Sequence, residues 1–215
     1  YALITIAIFG MWYYARYEGN FLPSPKKTFN PMMLMAIVIL VPGTQFAANF
    51  IANLTGYIRP DWLQQYNELF ETSGITDTTF VTVLYSVILA PICEELIFRG
   101  VTMRCARKAL PFALANLMQA ALFGLFHLNW IQGIYAFALG IVLGYVCECG
   151  GSIYYSMGLH MLFNLWGTLS GFFPDPGNSV VVFVVVIVVT IVSLVVGFVL
   201  FNKGRRKLPI NSTGI

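Results

Sequence analysis

The stretch APICEELIFRG, residues 90–100, places two adjacent carboxylates and an arginine inside a run that is otherwise apolar. Its ionisable residues are Glu94, Glu95 and Arg99. If this run lies in a membrane, each such side chain near the bilayer centre costs at least about 2.5–3.5 kcal/mol. That cost marks all three as candidates for a functional site, and the sequence on either side decides whether the run is embedded in lipid.

The composition is that of an integral membrane protein. Of 215 residues, 58% are hydrophobic and only 10% are charged, whereas soluble domains are about half apolar and a quarter charged. Apolar runs near the length of about 20 helical residues that crosses a hydrocarbon core occur at 1–17, 31–56, 78–103, 112–128, 131–148, 152–172 and 180–201. No linker or internal repeat divides them. We therefore predict an all-α fold, one polytopic transmembrane helix bundle of about seven spans that occupies residues 1–215 as a single domain.

The basic residues follow alternate loops between these runs, with Arg59 as the exception. By the positive-inside rule, this pattern predicts that the N-terminus lies outside and the C-terminus lies in the cytoplasm. Topology thus explains the net charge of +3, and we expect no nucleic-acid partner. The residues on the predicted cytoplasmic side are Arg16, Lys26, Lys27, Arg104, Arg107, Lys108, Lys203, Arg205, Arg206 and Lys207.

Three local patterns predict how the bundle is built. Residues 61–71 carry apolar side chains at helical spacing against polar neighbours, which predicts a short helix at the external membrane surface. Gly140 and Gly144 have the small-x-x-x-small spacing that lets helix backbones approach closely in lipid. Pro91 lacks a backbone N–H, which predicts a kink beside Glu94 and a core of kinked helices around a polar cavity.

The two adjacent glutamates differ in helical geometry. Glu95 and Arg99 are four residues apart with the acid first, which favours an ion pair. Glu94 lies about 100° round the helix and cannot share that geometry. A buried salt bridge therefore explains Glu95 and Arg99 but gives Glu94 no partner. An unpaired carboxylate is suited to act as a general base.

Both histidines of the chain also lie in apolar runs. The stretch FGLFH puts Phe123 one helical turn before His127, so an aromatic ring can sit below the imidazole. By itself, His127 is as consistent with a packing histidine as with a functional one. The stretch HMLFN puts His160 and Asn164 on one helix face. A carboxylate, two imidazoles and an amide on three helices can supply a base, a water-positioning group and oxyanion donors for attack on a peptide carbonyl.

The same residue types also suit a metal site. Glu94, His127 and His160 would give the His₂Glu ligation of a catalytic zinc with one open position, although neither histidine comes from an HExxH pair. Zinc at these three residues therefore stays as an alternative to a site without a cofactor.

The predicted depths of these residues disagree. At about 1.5 Å per residue, Glu94 and His160 lie about 13 Å from the cytoplasmic boundary, whereas His127 lies about 25 Å from it. The three meet only if the fourth helix enters the membrane late, and Asn116 and Gln119 are the candidates for marking that entry.

Three motifs, in this order, resemble the CAAX-protease and bacteriocin-processing family of intramembrane endopeptidases, also called CPBP or Abi. The family pattern is EExxxR, then FxxxH, then HxxxN. Here it reads EELIFR at 94–99, FGLFH at 123–127 and HMLFN at 160–164. Any one motif is weak, but three in order on separate apolar helices are specific. The resemblance covers roughly residues 78–172.

The resemblance implies hydrolysis of a peptide bond inside the membrane. It implies that Glu94 is the base that activates water together with His127. It also implies that His160 and Asn164 stabilise the oxyanion. The family is usually described as glutamate-dependent, so no cofactor is expected.

The same resemblance indicates partners and location. It implies that Glu95 and Arg99 are structural or substrate-orienting. The expected partners are the lipid bilayer and a membrane-associated peptide or protein, such as a prenylated tail, a leader peptide or a signalling propeptide. The motif wording is closer to bacterial members, which predicts a multi-pass protein of a bacterial cell membrane with its site open to the cytoplasmic side.

Two other classes and one other mechanism stay open. A non-catalytic immunity or scaffold protein would bind a peptide through the same polar cavity, and Glu94→Gln would then leave its phenotype intact. A transporter would use the buried carboxylates and histidines as a proton relay, although no internal repeat is detectable. Cys93 adjoins Glu94 and offers a cysteine-protease mechanism, which its acidic and apolar neighbourhood disfavours.

Overall fold

A computed structural model describes residues 2–17, 29–72, 79–170 and 179–205 of the chain. Within these ranges the chain forms helices and no strand, so the predicted all-helical fold is confirmed there. The basic residues Lys26, Lys27, Arg206 and Lys207 lie outside the described ranges. The helices are α1 (Ala2–Tyr17), α2 (Pro31–Ile58), α3 (Pro60–Thr72), α4 (Phe80–Ala106), α5 (Phe112–Phe126), α6 (Trp130–Gly150), α7 (Ile153–Ser170) and α8 (Val180–Arg205).

Within the described ranges the predicted apolar runs are helical except at His127, Leu128 and Ser152, and α3 is the predicted short helix. By length and hydropathy, however, only α2, α4, α6 and α8 qualify as membrane spans within the described part of the chain. The prediction of seven spans is therefore not confirmed. Helix α5 is too short to span the membrane by itself. It has 15 residues and is about 22 Å long, whereas the hydrocarbon core is about 30 Å thick. The four helices of spanning length and hydropathy support the conclusion that this is an integral membrane protein.

Two helix pairs organise the bundle. Helix α8 packs along α2, and α5 packs along α6, while α2 also contacts α6 and α7. The largest apolar core lies among α2, α6, α7 and α8, where Leu40, Leu143, Leu159 and Phe201 have no exposed surface. The outer face of α8 is mostly exposed valine, as expected of a helix that faces lipid.

Asparagine side chains fix two of the helix starts. The side chain of Asn30 accepts a hydrogen bond from the Met32 N–H over 2.9 Å and donates to the carbonyl of Gly204 over 3.0 Å. It therefore caps α2 and ties it to the end of α8. The Asn129 side chain accepts from the Gln132 N–H over 3.1 Å and caps α6.

Helix α4 is irregular around the glutamates. It is α-helical at Phe80–Leu84, Ala90–Glu95 and Arg104–Ala106, and π-helical at Tyr85–Leu89 and Leu96–Met103. Pi-helical turns are rare, and they are frequent at functional sites. The predicted kinked core is not confirmed. The irregularity that the structure has instead is π-helical hydrogen bonding on both sides of the EE pair.

The length of α4 removes most of the predicted depth conflict. This helix continues to Ala106, three residues beyond its predicted end. At about 1.5 Å per residue, Glu94 lies about 18 Å from Ala106, and His127 lies about 22 Å from the start of α5 at Phe112. The difference is about 4 Å, which long side chains can span, so α5 does not need to enter the membrane late.

Candidate active site

The imidazole of His160 lies between the two adjacent glutamates. Its Nε2 is 3.5 Å from Oε2 of Glu94, and its Nδ1 is 3.0 Å from Oε1 of Glu95. Because a carboxylate only accepts hydrogen bonds, Nδ1 of His160 is the donor to Glu95. The second ring nitrogen therefore faces Glu94, and α7 is held against the middle of α4.

Glu95 forms the predicted ion pair with Arg99. Their Oε1 and Nη1 atoms are 2.9 Å apart, and neither side chain has any exposed surface. The guanidinium of Arg99 also donates to the carbonyl of Gly140 over 3.3 Å. It lies over the ring of Phe123, 4.5 Å from its centroid. Glu95 is thus enclosed by two donors, whereas the Glu94 side chain is 17% exposed, so the two carboxylates are not equivalent.

His127 follows the last residue of α5. Its Nδ1 lies 2.8 Å from the carbonyl oxygen of Phe123, and a carbonyl only accepts, so Nδ1 carries the hydrogen and Nε2 is left as an acceptor. The Phe123 ring meets the His127 ring edge-on, with centroids 4.9 Å apart, and the His160 ring at 5.7 Å. Phe123 therefore contacts both imidazoles. Glu94 is among the groups that act electrostatically on His127.

The next residue along the chain has a strained backbone. Leu128 has a φ of 55° and an exposed fraction of 95%. A branched side chain rarely adopts this left-handed conformation, and its surroundings offer no packing that would compensate. Such strained positions cluster at active sites and ligand clamps, and this one adjoins a candidate site residue.

Asn164 lies on the same face of α7 as His160, and both side chains reach α4. The side-chain nitrogen of Asn164 donates to the backbone carbonyl of Ser86 over 2.8 Å. One of its two amide hydrogens is therefore engaged by the backbone of α4, a contact that the sequence did not predict. Its other hydrogen is not used by this bond.

Asn116 and Gln119, the candidates for marking a late membrane entry, pack against α6, and their depth in the membrane stays a prediction. Both side chains are buried, and Gln119 donates to the Gly140 carbonyl over 2.8 Å and to Asn116 over 2.7 Å. Asn116 in turn donates to the carbonyl of Ile141 over 3.0 Å. Arg99 and Gln119 both donate to the Gly140 carbonyl, so a polar network joins α4 and α5 to the backbone of α6.

Helical spacing was the signal that could have revealed this network. Residues 116, 119, 123 and 127 are separated by three, four and four positions, which places them on one face of α5. The amides of Gln119 and Asn116 lie one and two turns before Phe123. The helix face that carries Phe123 and His127 therefore also carries these two amides.

The described residues do not gather a ligand set for zinc. Zinc needs about three protein ligands at roughly 2.0–2.2 Å from one point. No group of three His, Cys, Asp or Glu residues within the described ranges is placed to hold a metal ion. In this arrangement Glu94, His127 and His160 are not grouped as a set of three ligands, and zinc at these residues stays a prediction.

Fold and site together define a helical integral membrane protein with a carboxylate–histidine site buried among its helices. Residues 76–166 match the family model described as Type II CAAX prenyl endopeptidase Rce1-like. The matched segment is less than half of the chain, and it contains all three motifs. The resemblance to the CPBP family is thereby confirmed over this segment. It supports a CAAX-type intramembrane endopeptidase in general. No curated protein and no solved structure matched the chain.

Proposed function

We propose that this protein is an intramembrane endopeptidase in which Glu94 activates the hydrolytic water. The observation that carries the proposal is the asymmetry between neighbouring carboxylates. Glu95 is fully buried and shared between Arg99 and His160, whereas Glu94 is partly exposed and lies 3.5 Å from a ring nitrogen of His160. A general base needs a free carboxylate that water can reach, and Glu94 is that carboxylate.

The proposed reaction begins with proton transfer from water to Glu94. The hydroxide oxygen forms a bond to the carbonyl carbon of the substrate, and the carbonyl electron pair moves to oxygen. When this tetrahedral intermediate collapses, the C–N bond breaks and the proton held by Glu94 passes to the leaving amine. His127 helps to position the water, because its Nδ1 is held by the Phe123 carbonyl and its Nε2 is an acceptor.

We assign His160 and Asn164 to the oxyanion. Nε2 of His160 donates when both ring nitrogens carry hydrogen, and Glu95 holds the ring through Nδ1. Asn164 donates through the amide hydrogen that Ser86 does not take. Donors fixed in advance at the position where charge develops are typically the largest single contribution to such catalysis. Glu95 and Arg99 act by orienting these groups.

The proposed substrate is a membrane-associated peptide or protein. The family description names prenyl endopeptidases, and prenylated tails, leader peptides and signalling propeptides are the candidate classes. We propose that the reaction needs no metal and that the protein lies in a bacterial cell membrane with its C-terminus in the cytoplasm.

Cleavage of a quenched membrane-peptide library by purified protein in lipid tests the proposal. Wild type is compared with Glu94→Gln, with and without a strong chelator. We expect wild type to cleave in both conditions and Glu94→Gln to lose cleavage while still inserting, because the amide cannot accept the proton. His127→Ala and His160→Ala should also lose cleavage.

Other results would exclude parts of this proposal. Turnover retained by Glu94→Gln would exclude Glu94 as the base. Loss of wild-type cleavage with chelator would favour zinc. A cellular phenotype that survives Glu94→Gln would favour a peptide-binding immunity or scaffold protein over an enzyme.

A further inference from the structure

One backbone carbonyl of α4 lacks its helical hydrogen-bond donor just before the glutamates. The N–H of Ala90 donates to the carbonyl of Tyr85, five residues earlier. Continued by one residue, this π-helical pattern would bring the N–H of residue 91 to the carbonyl of Ser86. Residue 91 is proline and has no N–H. The Ser86 carbonyl is therefore left without its backbone donor.

The side chain of Asn164 lies at this gap. Its amide nitrogen donates to the Ser86 carbonyl over 2.8 Å, from a helix 78 residues further along the chain. A buried carbonyl without a donor costs roughly 1–3 kcal/mol, and in lipid no water is present to replace the missing bond. We propose that Asn164 has a positioning role in addition to the oxyanion role proposed above: it closes the gap left by Pro91 and thereby fixes α4, with Glu94 on it, against α7.

A related contact beside a proline occurs away from the candidate site. Helix α2 contains Pro42, and the adjacent N–H of Gly43 donates to the Ser193 hydroxyl of α8 over 2.9 Å. That hydroxyl in turn donates to the carbonyl of Ile39. In both helices a polar side chain from a neighbouring helix bonds to backbone groups next to a proline. The two cases differ, because the carbonyl that Pro42 leaves without an α-helical donor is that of Val38 and not that of Ile39.

The consequence for the site follows from where these contacts lie. Asn164 is one helical turn from His160 on α7, and Glu94 is three residues after Pro91 on α4. The bond to Ser86 and the contacts of His160 with the glutamates thus join the same two helices. Loss of the first contact allows α4 to move relative to α7, which changes the distance between Glu94 and His160.

A double-mutant cycle between Pro91 and Asn164 tests this inference. Pro91→Ala restores an N–H that can reach the Ser86 carbonyl, so Asn164 becomes dispensable for closing the gap. We expect Asn164→Ala to lower the unfolding temperature in detergent and to reduce cleavage by about tenfold in the wild-type background. In the Pro91→Ala background its effect on the unfolding temperature should be several-fold smaller, and the loss of cleavage that remains there is the contribution of Asn164 as an oxyanion donor.

Equal losses of unfolding temperature in both backgrounds would overturn the inference, because Asn164 would then stabilise the fold whether or not residue 91 has an N–H. The cleavage measurement rests on the proposed function, but the unfolding temperature does not. If wild type cleaves nothing, the proposed function fails while coupling of the unfolding temperatures still decides the inference. Ser193→Ala, with and without Pro42→Ala, is the matched control. Pro42→Ala restores a donor for the Val38 carbonyl, which Ser193 does not contact, so these two substitutions should not couple in unfolding temperature.

Discussion

Glu94 and Glu95 are neighbours in sequence, yet their side chains have opposite surroundings. Glu95 and Arg99 are both completely buried and 2.9 Å apart. Charges in such a place are tolerated only when they are paired. A second contact joins Glu95 to His160 over 3.0 Å. Glu95 is therefore required to keep Arg99 neutralised and His160 oriented, a role that can be tested without a substrate.

Glu95→Gln should lower the free energy of unfolding by about 3–5 kcal/mol, because it leaves the buried guanidinium of Arg99 without its counter-charge. Chemical unfolding of the purified protein in detergent measures this. The matched control is Glu148→Gln, which breaks a partly exposed pair in which Arg107 Nε lies 3.1 Å from Glu148. That change should cost only about 0–1 kcal/mol. Equal effects of the two substitutions would contradict a structural role for Glu95.

The contact between α5 and α6 depends on glycines. A Cβ atom added to Gly140 would lie 3.1 Å from the Cα of Ala120, and one added to Gly124 would lie 2.5 Å from the Gly133 carbonyl oxygen. The predicted close packing at Gly140 and Gly144 is therefore confirmed. The close approach has a second effect, because it brings the carbonyls of α6 within reach of the buried amides of α5.

Gly144→Ala tests that contact. Its Cβ would collide with Oδ1 of Asn116, so either α5 must shift or Asn116 must give up its bond to the Ile141 carbonyl. We expect a loss of about 1–3 kcal/mol in unfolding free energy, as is typical of overpacking. Gly158→Ala is the control, because nothing lies within 4 Å of its added Cβ, and it should be neutral or slightly stabilising since alanine favours helix. A neutral Gly144→Ala would contradict the packing.

Helix α4 shows what sequence could and could not predict of the fold and the site. Apolar runs locate the helices because their length follows from the membrane, and four-residue spacing predicts the Glu95–Arg99 pair because it follows from helix geometry. The π-helical stretches have no such signature, since they depend on which carbonyl each N–H selects. For the same reason the contact between Asn164 and Ser86, two residues 78 positions apart, could not be predicted from spacing.

The number of spans shows the same limit for the whole chain. Sequence predicts seven apolar helical runs, and each contains a helix in the described ranges. Whether a run crosses the bilayer depends on its final length and on the helices that cover it. Helix α5 ends at Phe126 because His127 and Leu128 form the turn that leads into α6, which leaves it shorter than the hydrocarbon core.

The two ends of α6 differ in the residues that contact them. At its C-terminal end, Glu148 pairs with Arg107 over 3.1 Å, and Cys149 accepts from Arg205 over 3.4 Å. Basic residues from two parts of the sequence, the loop after α4 and the end of α8, therefore share this end of the bundle. The positive-inside rule predicts that this end is cytoplasmic.

The opposite end of α6 carries the aromatic contacts of α3. Trp130 stacks on Trp62 with ring centroids 5.3 Å apart, and Arg59 lies over Trp62 at 4.3 Å. Arg59 is the single basic residue that the sequence pattern assigns to the external side, and its guanidinium, bonded to Asp61, lowers the pKa of that carboxyl. Tryptophan at this level is typical of a membrane–water interface.

Thiol labelling with a membrane-impermeant maleimide tests the orientation of the whole bundle. Cys105 is exposed at the basic end, and Gln65 is exposed on α3 at the other. In intact cells we expect Gln65→Cys, made with Cys105 and Cys149 replaced by serine, to be labelled at once. The native Cys105 should react only after permeabilisation, because the positive-inside rule places it in the cytoplasm. The reverse pattern would invert the topology and place the C-terminal end of α8 outside, and labelling of both positions from one side would exclude α4 as a membrane span.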